Sequence, residues 1–249
     1  MSAPTKILVA LQFWEGDRAQ AGKLTEYLAD LEKTHNDQAD FLLVNRFDCK
    51  PLAKEQAYLS RKFNIFSYQS PRGATGWPYG CNSLAASTVT WAYRMGEAKR
   101  IPTYKAIFTC ESDGCPVFAD WISRMSFAWD TVNVLKPVCI AGPLVQVPAE
   151  HINGNCLIGG SIANLQWMSR CIHGVHSGGW DFVLANEFRN RGWANIAGML
   201  SLYNTRDYTL DRYNRLVQDN VIWVHGCKDS SLMDLGRIHI LGADNVPAL

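Results

Sequence analysis

Charge is scarce in this chain, and what there is balances. Charged residues make up 19% of 249, and 24 Lys plus Arg stand against 23 Asp plus Glu, leaving a net charge of +1. That balance removes any global attraction to nucleic acid or to an anionic membrane and leaves only a local basic groove open. Long apolar runs are also missing, since none approaches the roughly 18 residues that a membrane span needs. The opening Met1-Ser2-Ala3-Pro4-Thr5-Lys6 lacks the architecture of a signal peptide. The eight cysteines include no C-x-x-C pair, and the spacing of Cys110 and Cys115 matches no zinc signature. No G-x-G-x-x-G, G-x-x-x-x-G-K-[ST] or G-x-S-x-G occurs, so a dinucleotide fold, a P-loop and a serine-hydrolase elbow are unsupported. No repeat or low-complexity tract interrupts the chain. With 47% apolar residues the sequence can bury a sizeable core. The expectation is a globular protein of a reducing, cytoplasmic compartment.

The apolar pattern then sets out the elements. Residues 7–12 form a short apolar run suited to a buried strand. Residues 17–33 carry Leu24, Tyr27, Leu28 and Leu31 at helical spacing, with Asp17 placed to cap the helix. Residues 41–44 read as a strand and 52–63 as a helix, and this alternation opens an α/β protein with a parallel sheet. Residues 67–82 hold too many turn formers for an element interior. A helix over 83–95 and a strand over 104–110 follow, the strand ending in Glu111-Ser112-Asp113-Gly114. A helix over 117–127, a strand-like stretch over 138–147 and a polar loop over 150–155 come next. Gly178-Gly179 precedes Trp180-Asp181 and a helix to about residue 191, and a strand over 221–224 leads into His225-Gly226-Cys227-Lys228. The simplest reading is one α/β domain with irregular loops.

Chemistry concentrates where strands end. Glu111 and Asp113, i and i+2 before a glycine, lie at the carboxyl edge of the sheet, where open α/β sheets bind ligands. Such a pair suits a hard divalent cation that bridges phosphate oxygens, although an ordinary acidic turn reads the same way. His225 could complete a metal site begun by Asp113, and Lys228 could neutralise a diphosphate; the same residues also read as a surface histidine beside a solvated lysine. Between residues 72 and 82, Arg72 offers a fork for phosphate and Trp77 a flat stacking surface. Gly73, Gly76 and Gly80 permit close backbone approach, and Asn82 ends this ligand-wrapping stretch. His173 and His176 lie in or near a loop that an acceptor could meet.

In this order the features resemble a nucleotide-sugar glycosyltransferase of the GT-A fold, from residue 7 to about residue 229. Glu111-Ser112-Asp113 is similar to the family's D-x-D, which binds a metal-bound diphosphate. His151-Ile152-Asn153-Gly154-Asn155 resembles an H-x-N-G-N loop found in some members, often viral ones, bacteriophage enzymes among them. His225-Gly226-Cys227-Lys228 resembles the C-terminal histidine segment that completes the metal shell. The resemblance implies a single α/β domain over 1–249, with a Rossmann-like, mostly parallel central sheet flanked by helices. A nucleotide-binding half would cover about 1–115 and an acceptor-binding half about 116–249.

It further implies Mn²⁺ or Mg²⁺ on Asp113 and His225, with Arg72, Gly76, Trp77, Asn82, Glu111 and Lys228 around the donor. His151, Asn153, Gly154, Asn155 and Trp180 would line the sugar or acceptor pocket. The donor would be a nucleoside-diphosphate sugar, with UDP favoured. Glu111 departs from the family's first aspartate, and Trp180-Asp181 carries one acid where many members carry two. Asp181 could be the base of an inverting enzyme, an acceptor-positioning group in a retaining one, or a helix-start aspartate that complements the dipole. The loop makes a hydroxymethylated pyrimidine in DNA one acceptor to consider, with Arg189, Arg191, Arg206, Arg212 and Arg215 interleaved with Trp193, Tyr203, Tyr208 and Tyr213 as a tracking surface. A solvated helix face accounts for the same residues. A metal-dependent nucleotide hydrolase or nucleotidyltransferase, and an inactive nucleotide-sugar-binding module, remain as alternatives.

Overall fold

The computed structural model describes residues 4–242. Ile7–Phe13 (β1) and Ala39–Asn45 (β2) are buried along their whole length, as continuous apolar runs at the centre of a parallel sheet are. Arg18–Asp30 (α1) joins them, with Leu24, Tyr27 and Leu28 fully buried as their spacing requires. Ala53–Leu59 (α2) leads to Asn64–Gln69 (β3), a half-exposed edge strand. Tyr79–Glu97 (α3) crosses back to Ala106–Glu111 (β4), and Gly114–Pro116 (β5) follows at once. Then come Trp121–Leu135 (α4), the short strands Ile140–Gly142 (β6), Leu144–Val145 (β7) and His151–Ile152 (β8), and Cys156–Gly159 (β9). Ile162–His173 (α5), Trp180–Val183 (α6), Ala185–Arg191 (α7), Trp193–Asn195 (β10) and Met199–Thr205 (β11) continue the chain. Leu210–Gln218 (α8), Trp223–Cys227 (β12), Ser231–Gly236 (α9) and a π-helical turn over Arg237–Leu241 are the last described elements.

The central sheet has seven strands in the order β10-β6-β9-β4-β1-β2-β3, all running one way except β9. Its faces are covered separately. Leu11, Phe13 and Phe108 pack with Leu24 and Tyr27 of α1 and Trp121 of α4, whereas Leu8, Ala10 and Ile107 pack with Val89 of α3 and Met168 of α5. A smaller sheet, β11-β12-β5, branches from the carboxyl end of β4. Among the described residues no helix is long and apolar enough to cross a membrane.

The structure corrects several boundaries. Asp17 does not cap α1 with its side chain; its carboxylate instead accepts the Trp14 N–H at 2.8 Å and the Ser112 hydroxyl at 2.8 Å. The turn-rich stretch is shorter than expected, since β3 runs to Gln69 and α3 already starts at Tyr79, directly after Pro78. The strand expected over 138–147 splits into β6 and β7 at Pro143, which has no N–H for a ladder. The helix expected from residue 117 starts at Trp121, because the residues before it turn back to pair with β12.

Candidate functional site

The site grows from one strand pairing. Antiparallel β5 and β12 place Gly114 opposite His225, which carries the imidazole to the end of β4. Only glycine fits at two of the positions that allow this. A Cβ on Gly114 would sit 2.3 Å from the Trp223 ring, and one on Gly226, whose φ is +98°, would meet the Leu202 carbonyl oxygen at 1.5 Å. The backbone N–H groups of Gly226 and Cys227 both donate to the Asp113 carbonyl, at 3.1 and 2.8 Å, and close the turn.

His225 Nε2 then lies 3.2 Å from Glu111 Oε2 and 3.2 Å from Asp113 Oδ1. Its Nδ1 is 3.1 Å from the Ser201 hydroxyl, and the Lys228 ammonium pairs with Asp113 Oδ2. Burial by itself would lower the imidazole's pKa, but the hydrogen bonds and charges of the two carboxylates override it and push His225 up to about 10. Burial would likewise raise Asp113, and His225 with Lys228 instead holds it at about 2. Behind them sits Asp17, which burial pushes up to about 6 against its bonds from Trp14 and Ser112.

His225 Nε2 has one hydrogen for two carboxylate oxygens, Glu111 Oε2 and Asp113 Oδ1, and among the described residues the buried Asp113 Oδ1 has no partner besides that imidazole. Two carboxylates that share one donor make a favourable place for a further cation. One oxygen each from Glu111 and Asp113 and one nitrogen of His225 lie within 4.8 Å of one another. Two hard carboxylate oxygens and an imidazole nitrogen form a donor set that fits a divalent cation of the Mg²⁺ or Mn²⁺ kind. To act as a ligand, Nε2 must first lose its proton.

The opposite wall is built by α6 and the loop around β8. Asp181 accepts the Gly154 N–H at 2.9 Å and the Phe182 N–H at 3.0 Å, and burial raises its pKa. His151 donates Nδ1–H to the Ala149 carbonyl at 2.7 Å, which turns Nε2 toward Asp181 Oδ2 at 3.9 Å. Asn153 accepts the Asn155 N–H at 3.0 Å, and Asn155 in turn accepts the Glu111 N–H at 2.9 Å, so this loop is bound directly to the end of β4. Thr109 donates its hydroxyl to the Gly154 carbonyl at 2.8 Å. Sequence order separates these walls, and hydrogen bonds join them.

Between the walls lies a cavity of about 720 Å³. Its floor includes Glu111, His151, Asn153, Asp181, His225 and Lys228. Its rim is apolar, with Trp77 (79% exposed), Val147 (78%) and Tyr203 (93%) all facing the same space. A smaller adjoining recess of about 190 Å³ adds Gly154, Asn155 and Trp180. Many of the residues expected at the site line these spaces; sequence reasoning missed Ser201, Phe182 and Cys81 and set Tyr203 in the tracking surface instead. Ser201 and Tyr203 arrive through the pairing of β11 with β12, Phe182 with α6 and Cys81 with the first turn of α3.

Two expected donor residues fall elsewhere, and a third is committed to the backbone. Gly76 (φ +75°) has nothing within 4 Å of where a side chain would start and lines neither space. Arg72 lines a separate cavity with His173 and His176. Asn82 borders the recess, but both ends of its carboxamide are committed: Nδ2 donates to the Gly178 carbonyl at 2.9 Å, and Oδ1 accepts the Trp180 N–H at 2.9 Å. The tracking surface also fails to assemble. Tyr208 and Tyr213 are buried, Arg189 pairs with Glu150 at 3.1 Å, and Arg206 donates to the Lys228 carbonyl at 3.1 Å. Arg191 and Arg212 stack on Trp167 and Tyr208, and neither these arginines nor Arg215 lines the cavity.

No protein-family model and no curated protein matches the sequence. Solved structures do. The bifunctional glycosyltransferase WbbM superposes with a TM-score of 0.51 at 10% identity, over 90% of this chain and 46% of that one. The apo form of the glycosyltransferase GlyE of Streptococcus pneumoniae TIGR4 gives 0.48 at 13% identity, over 89% and 54%. A 4-diphosphocytidyl-2C-methyl-D-erythritol synthase gives 0.46 at 9%, over 77% and 89%. This chain spans about half the length of the first two. At such identities the likeness is one of fold, and it agrees with the GT-A-like architecture: a mostly parallel central sheet flanked by helices.

Proposed function

We propose that the chain is a metal-dependent glycosyltransferase that moves a sugar from a nucleoside-diphosphate sugar to an acceptor hydroxyl. The observation that carries this reading is the cluster of Glu111, buried Asp113 and His225 at the carboxyl end of β4 in a GT-A-like sheet, with one donor atom from each within 4.8 Å of the others. Glu111, Asp113 and His225 would hold the cation, which supplies Lewis-acid stabilisation to the departing diphosphate. Lys228 adds a fixed positive charge on the same side, aimed where negative charge grows. Asp181, fastened by two backbone N–H groups, orients the acceptor hydroxyl across the cavity, and His151 Nε2 stands beside its carboxylate to share the proton. Asn153 and Trp180 line the sugar's side, and Trp77, Val147 and Tyr203 offer an exposed apolar rim against which a nucleotide base or acceptor can pack.

Thermal unfolding with UDP, GDP, CDP and dTDP, each with and without Mn²⁺, tests the donor half. A ligand at about 100 times its dissociation constant adds roughly 2.7 kcal/mol, a rise of about 5–11 °C for a chain of this size. UDP is the first donor base to test. The expected result is a metal-requiring rise for one diphosphate and, with the matching nucleotide-sugar, a free diphosphate as product. Nucleoside monophosphate and sugar phosphate formed from the nucleotide-sugar would assign the site to hydrolysis instead, and pyrophosphate released from a nucleoside triphosphate and a sugar phosphate would assign it to nucleotidyl transfer.

A further inference from the structure

A second cavity of about 390 Å³ opens between the first turns of α3, the end of α5 and the loop after β3. It borders the metal-side recess, and Asn82 stands in the wall between them. The polar groups around it are Arg72, Tyr79, Ser83, Ser87, His173 and His176, with no carboxylate among them. Arg72 is exposed at the cavity's edge, and its guanidinium has neither a hydrogen bond nor an ion pair among the described residues. Ser87 is only 7% exposed, and its hydroxyl, which has no partner among the described residues, opens onto the cavity. A donor placed there can meet a ligand. The floor between these groups is apolar, made by Ala86, Ile172 and Val175.

From this we infer that the cavity is a binding site for a small organic anion, a phosphate or carboxylate group carried on an apolar body. Arg72 forks onto the anionic oxygens, Ser87 donates from below, and the apolar floor takes the body. The site is separate from the metal cluster: no residue lining it is a candidate ligand of the cation, and the cluster's own cation, Lys228, lies in the other cavity. Fixed positive charge and open donors with no competing acid distinguish it from the two adjoining spaces, which carry Glu111 and Asp181.

The test follows the histidine ring carbon–proton NMR signals of the full chain, without added divalent cation, during titration with phenyl phosphate, phenylacetate and uncharged benzyl alcohol. His173→Gln and His176→Gln assign the two signals. The expected result is that at least one anion shifts both at millimolar concentration while benzyl alcohol moves neither, and the effective anion shows whether the site prefers phosphate or carboxylate. Arg72→Ala should weaken that binding about tenfold or more, and Arg72→Lys should restore part of it. Ser87→Ala, which removes the hydroxyl and adds no atom, should weaken it by a smaller factor while the unfolding midpoint confirms a folded chain. Shifts confined to His225 or His151, equal binding of benzyl alcohol, no shift at either assigned signal, or an affinity unchanged in Arg72→Ala would each overturn the proposal.

Discussion

Asp113 meets two opposed demands: it is buried, which favours the neutral acid, and it faces His225 and Lys228, which favour the anion. The cations win, and the pH dependence follows from that. With no metal bound, His225 is raised to about 10 and carries a proton at neutral pH, whereas a metal ligand must be the neutral imidazole. The apparent affinity for Mn²⁺ should therefore rise about tenfold per pH unit between pH 6.5 and 8.5, with about one proton released per ion. Calorimetry in buffers of different ionisation enthalpy measures both; a flat affinity would remove His225 from the ligand set. Asp113→Asn should lose cation binding while the chain stays folded, because the carboxamide keeps the shape but not the charge. Folding stability carries the matching sign. Asp113's contribution is present above its unfolded value near 3.8 and fades as pH falls toward 2. At this scale the sequence was informative wherever a residue's role is local. Glu111, Asp113, His225 and Lys228 converge, whereas Arg72, expected beside the donor, lines the other cavity, since nothing in its neighbourhood tells which cavity its loop will face.

Two devices hold these residues in place, and each belongs to an element rather than to a side chain. The first is β12, whose path past β11 depends on Gly226 at a φ of +98°. Gly226→Ala brings a methyl into the Leu202 carbonyl, and the chain must shift at the residue next to His225. The expected loss is about 3 kcal/mol or more of stability, read by urea unfolding, together with weakened Mn²⁺ binding. The second is the clamp from α3: Asn82 holds the Gly178 carbonyl and the Trp180 N–H, and so sets where α6 begins and where Asp181 points. Asn82→Ala leaves those buried groups unsatisfied at a cost of about 1–3 kcal/mol. Turnover should fall at least tenfold while Mn²⁺ affinity stays unchanged, because the cation's ligands lie on other elements; an equal loss of both would mean a general collapse. Elements with a strong apolar period were legible from sequence, as α1, β1, β2 and β4 show. Those whose character depends on a distant partner were not. β9 is a strand through pairing, β5 is three residues long with no pattern of its own, and β12, expected over 221–224, runs on to Cys227 where it pairs with β11.

The whole molecule is tied together by strands that cross the expected midpoint. The nucleotide-binding half was placed at about residues 1–115, yet the central sheet draws β6, β9 and β10 from beyond that limit. β9 lies between β4 and β6, and its register with β4, Ala106 opposite Gly159 through Thr109 opposite Cys156, covers most of β4's length. A chain ending near residue 115 would expose the β4 edge and lose Trp121, Trp129, Leu157 and Trp223 from the core that surrounds Phe108 and Tyr27. It would also lose His225, whose position depends on β12 pairing with β5. We therefore expect that residues 1–115 expressed alone do not fold, and that the full chain unfolds in one cooperative step. Circular dichroism and tryptophan fluorescence followed together through a urea titration should give coincident transitions. A folded 1–115 fragment, or two separated transitions, would show that the halves are independent. The sheet's continuity would then be a packing arrangement between two units rather than the single core that places Asp113 and His225 side by side.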